Sequence, residues 1–111
     1  MAGERAVLVT LSGELDLAKR DAVADALPAP GSVDRLVVDC SAVTSIESVV
    51  ITVFMRYRRK FIAVGSDPMN IVFIVSPQMR RIFEITGMST FFTVIPASGE
   101  VSTQEQERQD A

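Results

Sequence analysis

The chain is predicted to be α/β, a single domain built on a four- or five-stranded mixed sheet with helices mainly on one face. Two observations lead there. Short apolar, β-branched runs alternate with segments whose apolar residues recur at helical spacing, the pattern of strand–helix–strand crossovers. Two of those runs, Leu36-Val37-Val38 and Ile71–Val75, are continuously apolar, as strands buried on both faces are. The 111 residues suit one domain with one real core.

Taken in order, Ala6–Leu11 is a β-rich run that Ser12-Gly13 interrupts. Glu14–Leu17 alternates polar and apolar, so the two segments read as a hairpin whose first strand joins as an antiparallel edge. Lys19–Leu27 places Ala22, Val23, Ala26 and Leu27 at helical spacing, and Pro28-Ala29-Pro30-Gly31 ends it. Leu36–Val38 is a short strand followed by a short polar loop. A long helix then runs from about Ser48 to Val64-Gly65. Asn70–Val75 is the strongest central strand. Ser76-Pro77 offers an N-cap and a first-turn proline for a helix that reaches Thr86, with Gly87 closing it. Phe91–Ile95 is a last strand. The domain is assigned to residues 1–96, and the polar stretch 97–111 to a frayed tail.

In the long helix, Val50, Val53, Phe54, Tyr57, Phe61 and Val64 should face the sheet. Val49, Thr52, Arg56, Arg59 and Lys60 fall on the opposite side. Ile62 is expected to pack on a neighbouring helix; Ile51 and Met55 fit either such packing or an exposed partner surface. The start of this helix, beyond the carboxyl end of a strand, is the first place to seek function. A helix N-terminus there presents N–H donors and a positive dipole end.

Composition narrows the chemistry. Acidic residues outnumber basic ones 14 to 11, so no global charge draws the chain to nucleic acid. Histidine is absent, which removes the commonest general base, and neither a phosphate-binding glycine loop nor a metal-ligand cluster is evident. We therefore expect no enzyme activity, no cofactor and no metal. The single cysteine, Cys40, rules out an internal disulfide and reads as a small core residue. No segment is long enough for a membrane span and the start lacks a signal peptide's order, so a soluble, cytoplasmic protein with no membrane partner is expected. The basic run Arg56, Arg58, Arg59, Lys60, with Arg80 and Arg81 elsewhere, reads as a solvated face that could also meet an acidic partner.

Three stretches, Leu11-Ser-Gly-Glu-Leu-Asp-Leu17, Leu36-Val-Val-Asp-Cys-Ser-Ala-Val-Thr-Ser-Ile-Glu-Ser48 and Ser76-Pro-Gln-Met-Arg-Arg-Ile-Phe-Glu-Ile-Thr-Gly-Met88, resemble the STAS domain, specifically the bacterial anti-sigma factor antagonists. The resemblance spans roughly Val7–Ile95 and implies a STAS-like α/β fold. It also implies a role in transcription regulation by partner switching. The loop-to-helix corner would dock on an anti-sigma factor, often a serine kinase, and free the sigma factor. Phosphorylation of a serine at the helix start would then end the interaction by adding nearly two negative charges.

The pattern departs from that family at the switch itself. The usual helix start is Asp-Ser-Ser/Thr-Gly, and here Glu47-Ser48-Val49-Val50 stand in its place. The usual acceptor is the second hydroxyl residue, where Val49 has none. Ser48 remains the phospho-acceptor candidate, but it points about 100° away on the helix, and it reads first as a helix cap. Thr52 is nearer the face of Val49, one turn further in. The expected partner-binding set is Asp16, Glu47, Ser48, Val49, Thr52 and Ser76, with capping of the first helix an equal reading for Asp16. Two rivals are a nucleotide- or lipid-sensing module using the helix N-terminus as an anion site, and a structural subunit of a signalling assembly with Ile51 and Met55 in a self-contact.

Overall fold

The computed structural model describes residues 4–97, so that of the tail assigned to 97–111 all but Ala97 lies outside them. Ala97 itself is buried and its N–H donates to the Val75 carbonyl, so the ordered chain reaches at least that far. Four strands, β1 (Ala6–Leu15), β2 (Arg35–Ile46), β3 (Ile71–Val75) and β4 (Thr93–Pro96), form one sheet in the order β1-β2-β3-β4. Four helices connect or follow them: α1 (Arg20–Ala26), α2 (Ser48–Ala63), α3 (Pro77–Ile85) and the single turn α4 (Met88–Phe91).

All three pairings are parallel, so the sheet is not mixed as predicted. The predicted hairpin does not form. Ser12-Gly13 is not a turn; the strand runs on through it to Leu15, with Gly13 adopting φ +75° at an irregularity in the ladder. Sequential parallel strands joined by right-handed crossovers place every connecting helix on the same face. That matches the expected one-sided arrangement.

The second difference is the length of β2. The predicted short strand and polar loop are one strand of 12 residues. Its register against β1 slips twice: Thr10 faces Asp39 but Ser12 faces Ala42, and Gly13 faces Val43 but Glu14 faces Ser45. Each slip is an extra residue on β2, a bulge that breaks the alternation by which strands are recognised. Asp39 serves the first bulge, its Oδ1 accepting the Ser41 N–H at 2.9 Å. The last predicted strand also shifts, because Phe91 ends α4 and the strand starts at Thr93.

The core lies between the helices and the inner face of the sheet. Leu36, Val38, Cys40 and Val43 of β2 and Ile71, Phe73 and Val75 of β3 are all buried there. Five of the six predicted sheet-facing residues of α2 are buried, namely Val50, Val53, Phe54, Tyr57 and Phe61. Val64 is instead 53% exposed, because the helix ends at Ala63. Ile62 is also exposed, with no neighbouring helix covering it among the described residues, whereas Ile51 and Met55 are half-buried against the core. Phe73 is the aromatic centre, with edge-on contacts to Phe54 at 4.9 Å and to Phe83 and Phe92 at 5.1 Å.

Cys40 is fully buried, as expected of a small core residue. Burial, helped by the neighbouring Asp39 carboxylate, pushes its thiol from the ordinary 9.0 up to about 12. An unfolded chain would ionise this thiol near its ordinary value while the folded chain keeps it protonated. The unfolded state then binds fewer protons, so stability falls between about pH 9 and about pH 12 and is untouched by this group below that window. A pH series of urea melts should show a shallower alkaline loss in Cys40→Ala than in the parent. Identical slopes would mean that the thiol is solvated in the folded state.

Candidate functional site

β1 and β2 pair as far as Leu15 and Ile46, well beyond the end of β3, whose last residue Val75 faces Cys40. Six residues of β2 therefore project past the four-stranded part, a reach of about 20 Å at strand rise. This two-stranded arm ends in the corner singled out from the sequence. Leu15 and Ile46 face each other, and the Glu47 N–H donates to the Leu15 carbonyl at 2.9 Å. The Glu47 carboxylate accepts the Leu17 N–H at 3.2 Å. Two chain reversals, into the 3-10 turn Leu17–Lys19 and into α2, are thus tied together by one side chain.

The corner gathers Asp16, Glu47, Ser48, Val49 and Thr52, but not Ser76. Ser76 caps α3, its hydroxyl accepting the Met79 N–H at 3.1 Å, at the level of the middle of β2. The capping role was legible; the proximity was not, because the length of the arm was hidden by the bulges.

The other predicted caps are not made. Glu47, not Ser48, is the N-cap of α2, and no side chain among the described residues closes that helix end. Ser48 is its first residue, and exposed. Asp16 precedes the 3-10 turn without a side-chain cap bond, and its Oδ1 is buried with no hydrogen-bonding partner among the described residues. The Thr52 hydroxyl donates back to the Ser48 carbonyl at 3.0 Å, so it serves the helix itself. Val49 is half-buried and packs on the core edge. Leu17, which the sequence did not mark, stands 59% exposed beside these residues.

From this corner a shallow groove runs between α1 and α2. Arg20, Asp21, Ala24 and Leu27 line one side, and Val49, Thr52, Val53, Arg56, Tyr57 and Lys60 the other. Its floor is apolar and its rim mostly cationic, with Arg20 turned to Asp21 at 3.2 Å. The Tyr57 hydroxyl donates to the Pro28 carbonyl at 2.8 Å, fixing the far end of the groove. Burial raises the ionisation of that hydroxyl above its ordinary value.

The basic run of α2 divides by role. Arg58 donates from Nε to the Phe91 carbonyl at 3.0 Å and sits 5.0 Å from the centre of the Phe91 ring, bracing α2 against α4. Arg56, Arg59 and Lys60 are left exposed. Sequence spacing placed Arg56 and Lys60 on the right face; that α1 would lie alongside them is a tertiary fact with no local signal.

Among the described residues no three His, Cys, Asp or Glu side chains come together as a metal site. Nor is any helix there long and apolar enough to cross a membrane. In comparisons with known proteins, the family model described as "Mlab, STAS domain" matches residues 2–96. No curated protein matches the chain.

Proposed function

The chain belongs to the STAS domain family, a regulatory and signalling module, and from that premise we propose that it is an anti-sigma factor antagonist acting by binding rather than by catalysis. The observation that carries this reading is the projecting corner. The β1–β2 arm holds the start of α2 clear of the four-stranded sheet, with exposed Leu17 and half-buried Val49 as apolar contacts amid polar neighbours. Small apolar anchors surrounded by a polar rim suit a protein partner. The cations Arg20, Arg56 and Lys60 along the adjoining groove favour an acidic stretch on that partner.

In this reading the phosphorylation switch is lost. Val49 occupies the usual acceptor position and has no hydroxyl. Ser48 is turned about 100° from it around the helix, and the Thr52 hydroxyl is engaged with a backbone carbonyl. The chain would remain in its binding form whatever the kinase activity of its partner.

One experiment addresses both halves. The purified chain is added to a pre-formed complex of sigma factor and anti-sigma factor from the same cell, with and without ATP. Release of sigma factor in both cases, with the chain's intact mass unchanged, is the expected result. Failure to release it from any anti-sigma complex of that cell removes the antagonist reading. Release followed by efficient phosphorylation at Ser48 keeps the antagonist and removes the lost switch.

A further inference from the structure

The two edges of the sheet differ sharply. β4 is four residues long and ends in Pro96, a short and guarded edge. β1 is ten residues long, and its free side has no partner among the described residues. From Ala6 to Ser12 it contains neither a charge nor a proline, which are the usual devices that keep an edge from pairing. Its inner-face residues Val7, Val9 and Leu11 are only half-buried, and Leu8 on the outer face is 62% exposed. The apolar layer is thus unfinished on this side.

The direction of the free hydrogen-bonding groups follows from the ladder. The Arg5 N–H donates to Asp34 Oδ2 at 2.8 Å, and the Arg5 carbonyl accepts the Asp34 and Arg35 N–H groups at 2.8 and 3.2 Å. Arg5 therefore faces β2, and by strand alternation Val7 and Val9 do so as well. The N–H and C=O groups of Ala6, Leu8 and Thr10 point away from the sheet. The regular part of β1 ends at Thr10, where the first bulge begins. Beyond it, the Lys19 amine donates to the Glu14 carbonyl at 2.6 Å and occupies that end of the strand.

We infer that the segment Ala6–Thr10 is an interface for a second copy of this chain, paired antiparallel about a two-fold axis at Leu8. The open segment is centred on that residue. Leu8 would face its own counterpart, Ala6 would face Thr10 of the second copy, and about six backbone bonds would form. Val7 and Val9 of each copy would meet on the inner face and close the unfinished layer. In this register no like charges oppose each other, because Glu4 falls opposite Ser12 and Arg5 opposite Leu11. An antiparallel two-fold contact uses both open edges at once and so ends at a dimer. The guarded β4 edge gives it no route to grow.

The test is sedimentation of the full chain from low micromolar to near-millimolar concentration, together with amide hydrogen exchange. A reversible monomer–dimer equilibrium is expected. The amides of Leu8 and Thr10 should gain protection as the dimer forms, while that of Val9 is protected throughout. Leu8→Lys would set two ammonium groups opposite each other across the axis. It should give a monomer at every concentration, with Val9 still protected. Should that variant not fold, Thr10→Pro deletes an outward N–H without touching the β1–β2 ladder and should likewise give a monomer. A parent chain that stays monomeric across the range overturns the inference. So does a dimer that survives the folded variant, or protection of the Leu8 and Thr10 amides in the isolated monomer, which would mean that the chain covers its own edge.

Discussion

Phe73→Ala is expected to remove about 3–5 kcal/mol of stability, the range for an aromatic residue deleted from a packed core. Phe73 is fully buried in the central strand β3 and touches a ring from each of three other parts of the core: Phe54 of α2, Phe83 of α3, and Phe92 just ahead of β4. Those contacts hold two helices and the last strand to a single side chain. A domain of this size has about 5–15 kcal/mol in total, so the variant would sit near the limit of folding at physiological temperature. Its melting temperature should fall by roughly 15–30 °C. Calorimetry or a thermal melt followed by circular dichroism reads this directly. A fall of only a few degrees would mean that the surrounding rings collapse into the vacancy and that the core is less rigid than the edge-on contacts imply.

Val49→Asp is expected to leave the fold in place and to weaken binding to the proposed partner, an anti-sigma factor, at least tenfold, about 1.4 kcal/mol. The fold should tolerate it because a carboxylate in the first turn of α2 interacts favourably with the helix dipole. That gain offsets part of the loss of a half-buried valine's methyl groups. The interface should not tolerate it, because the new charge would lie beside Asp16 and Glu47 and would need to be desolvated against a partner predicted to be acidic. Ile85→Asp, on the exposed side of α3, supplies the control, since it adds the same charge away from the corner. Titration calorimetry with the purified anti-sigma factor distinguishes them. Equal affinities for parent and Val49→Asp would take the corner out of the interface, whatever the rest of the chain does.

The parts of the fold that could be read in the sequence are those specified by local pattern. The apolar stripe of α2 predicted six sheet-facing positions, five of which are buried, because a helix resting on a sheet needs such a stripe. Ser76-Pro77 marked the start of α3 through the chemistry of a cap. Gly87, at φ +83°, marked its end. What could not be read depends on relations between distant residues. Parallel pairing of β1 with β2 leaves no local trace, and Ser12-Gly13 mimics the punctuation of a hairpin. The two bulges of β2 put polar residues out of phase, so Asp39–Ile46 looked like a loop.

The candidate site divides in the same way. Asp16, Glu47, Ser48, Val49 and Thr52 do converge, because all lie within two residues of a strand end or in the first turns of α2. Ser76 failed to join them for want of a known strand length. Leu17, Arg20 and Ala24 joined unannounced, brought in by the packing of α1 on α2. Glu47 also took a role that its residue type did not advertise, accepting the Leu17 N–H while standing at a helix start where a serine was expected to act.

The chain has one tyrosine and no tryptophan, and that tyrosine is Tyr57, wedged in the groove wall with its hydroxyl on the Pro28 carbonyl. Its ultraviolet emission therefore comes from one known place, free of energy transfer to an indole. A partner that itself lacks both tryptophan and tyrosine could be followed as it seats between α1 and α2 by intrinsic fluorescence alone, with no dye or tag to disturb the contact being measured.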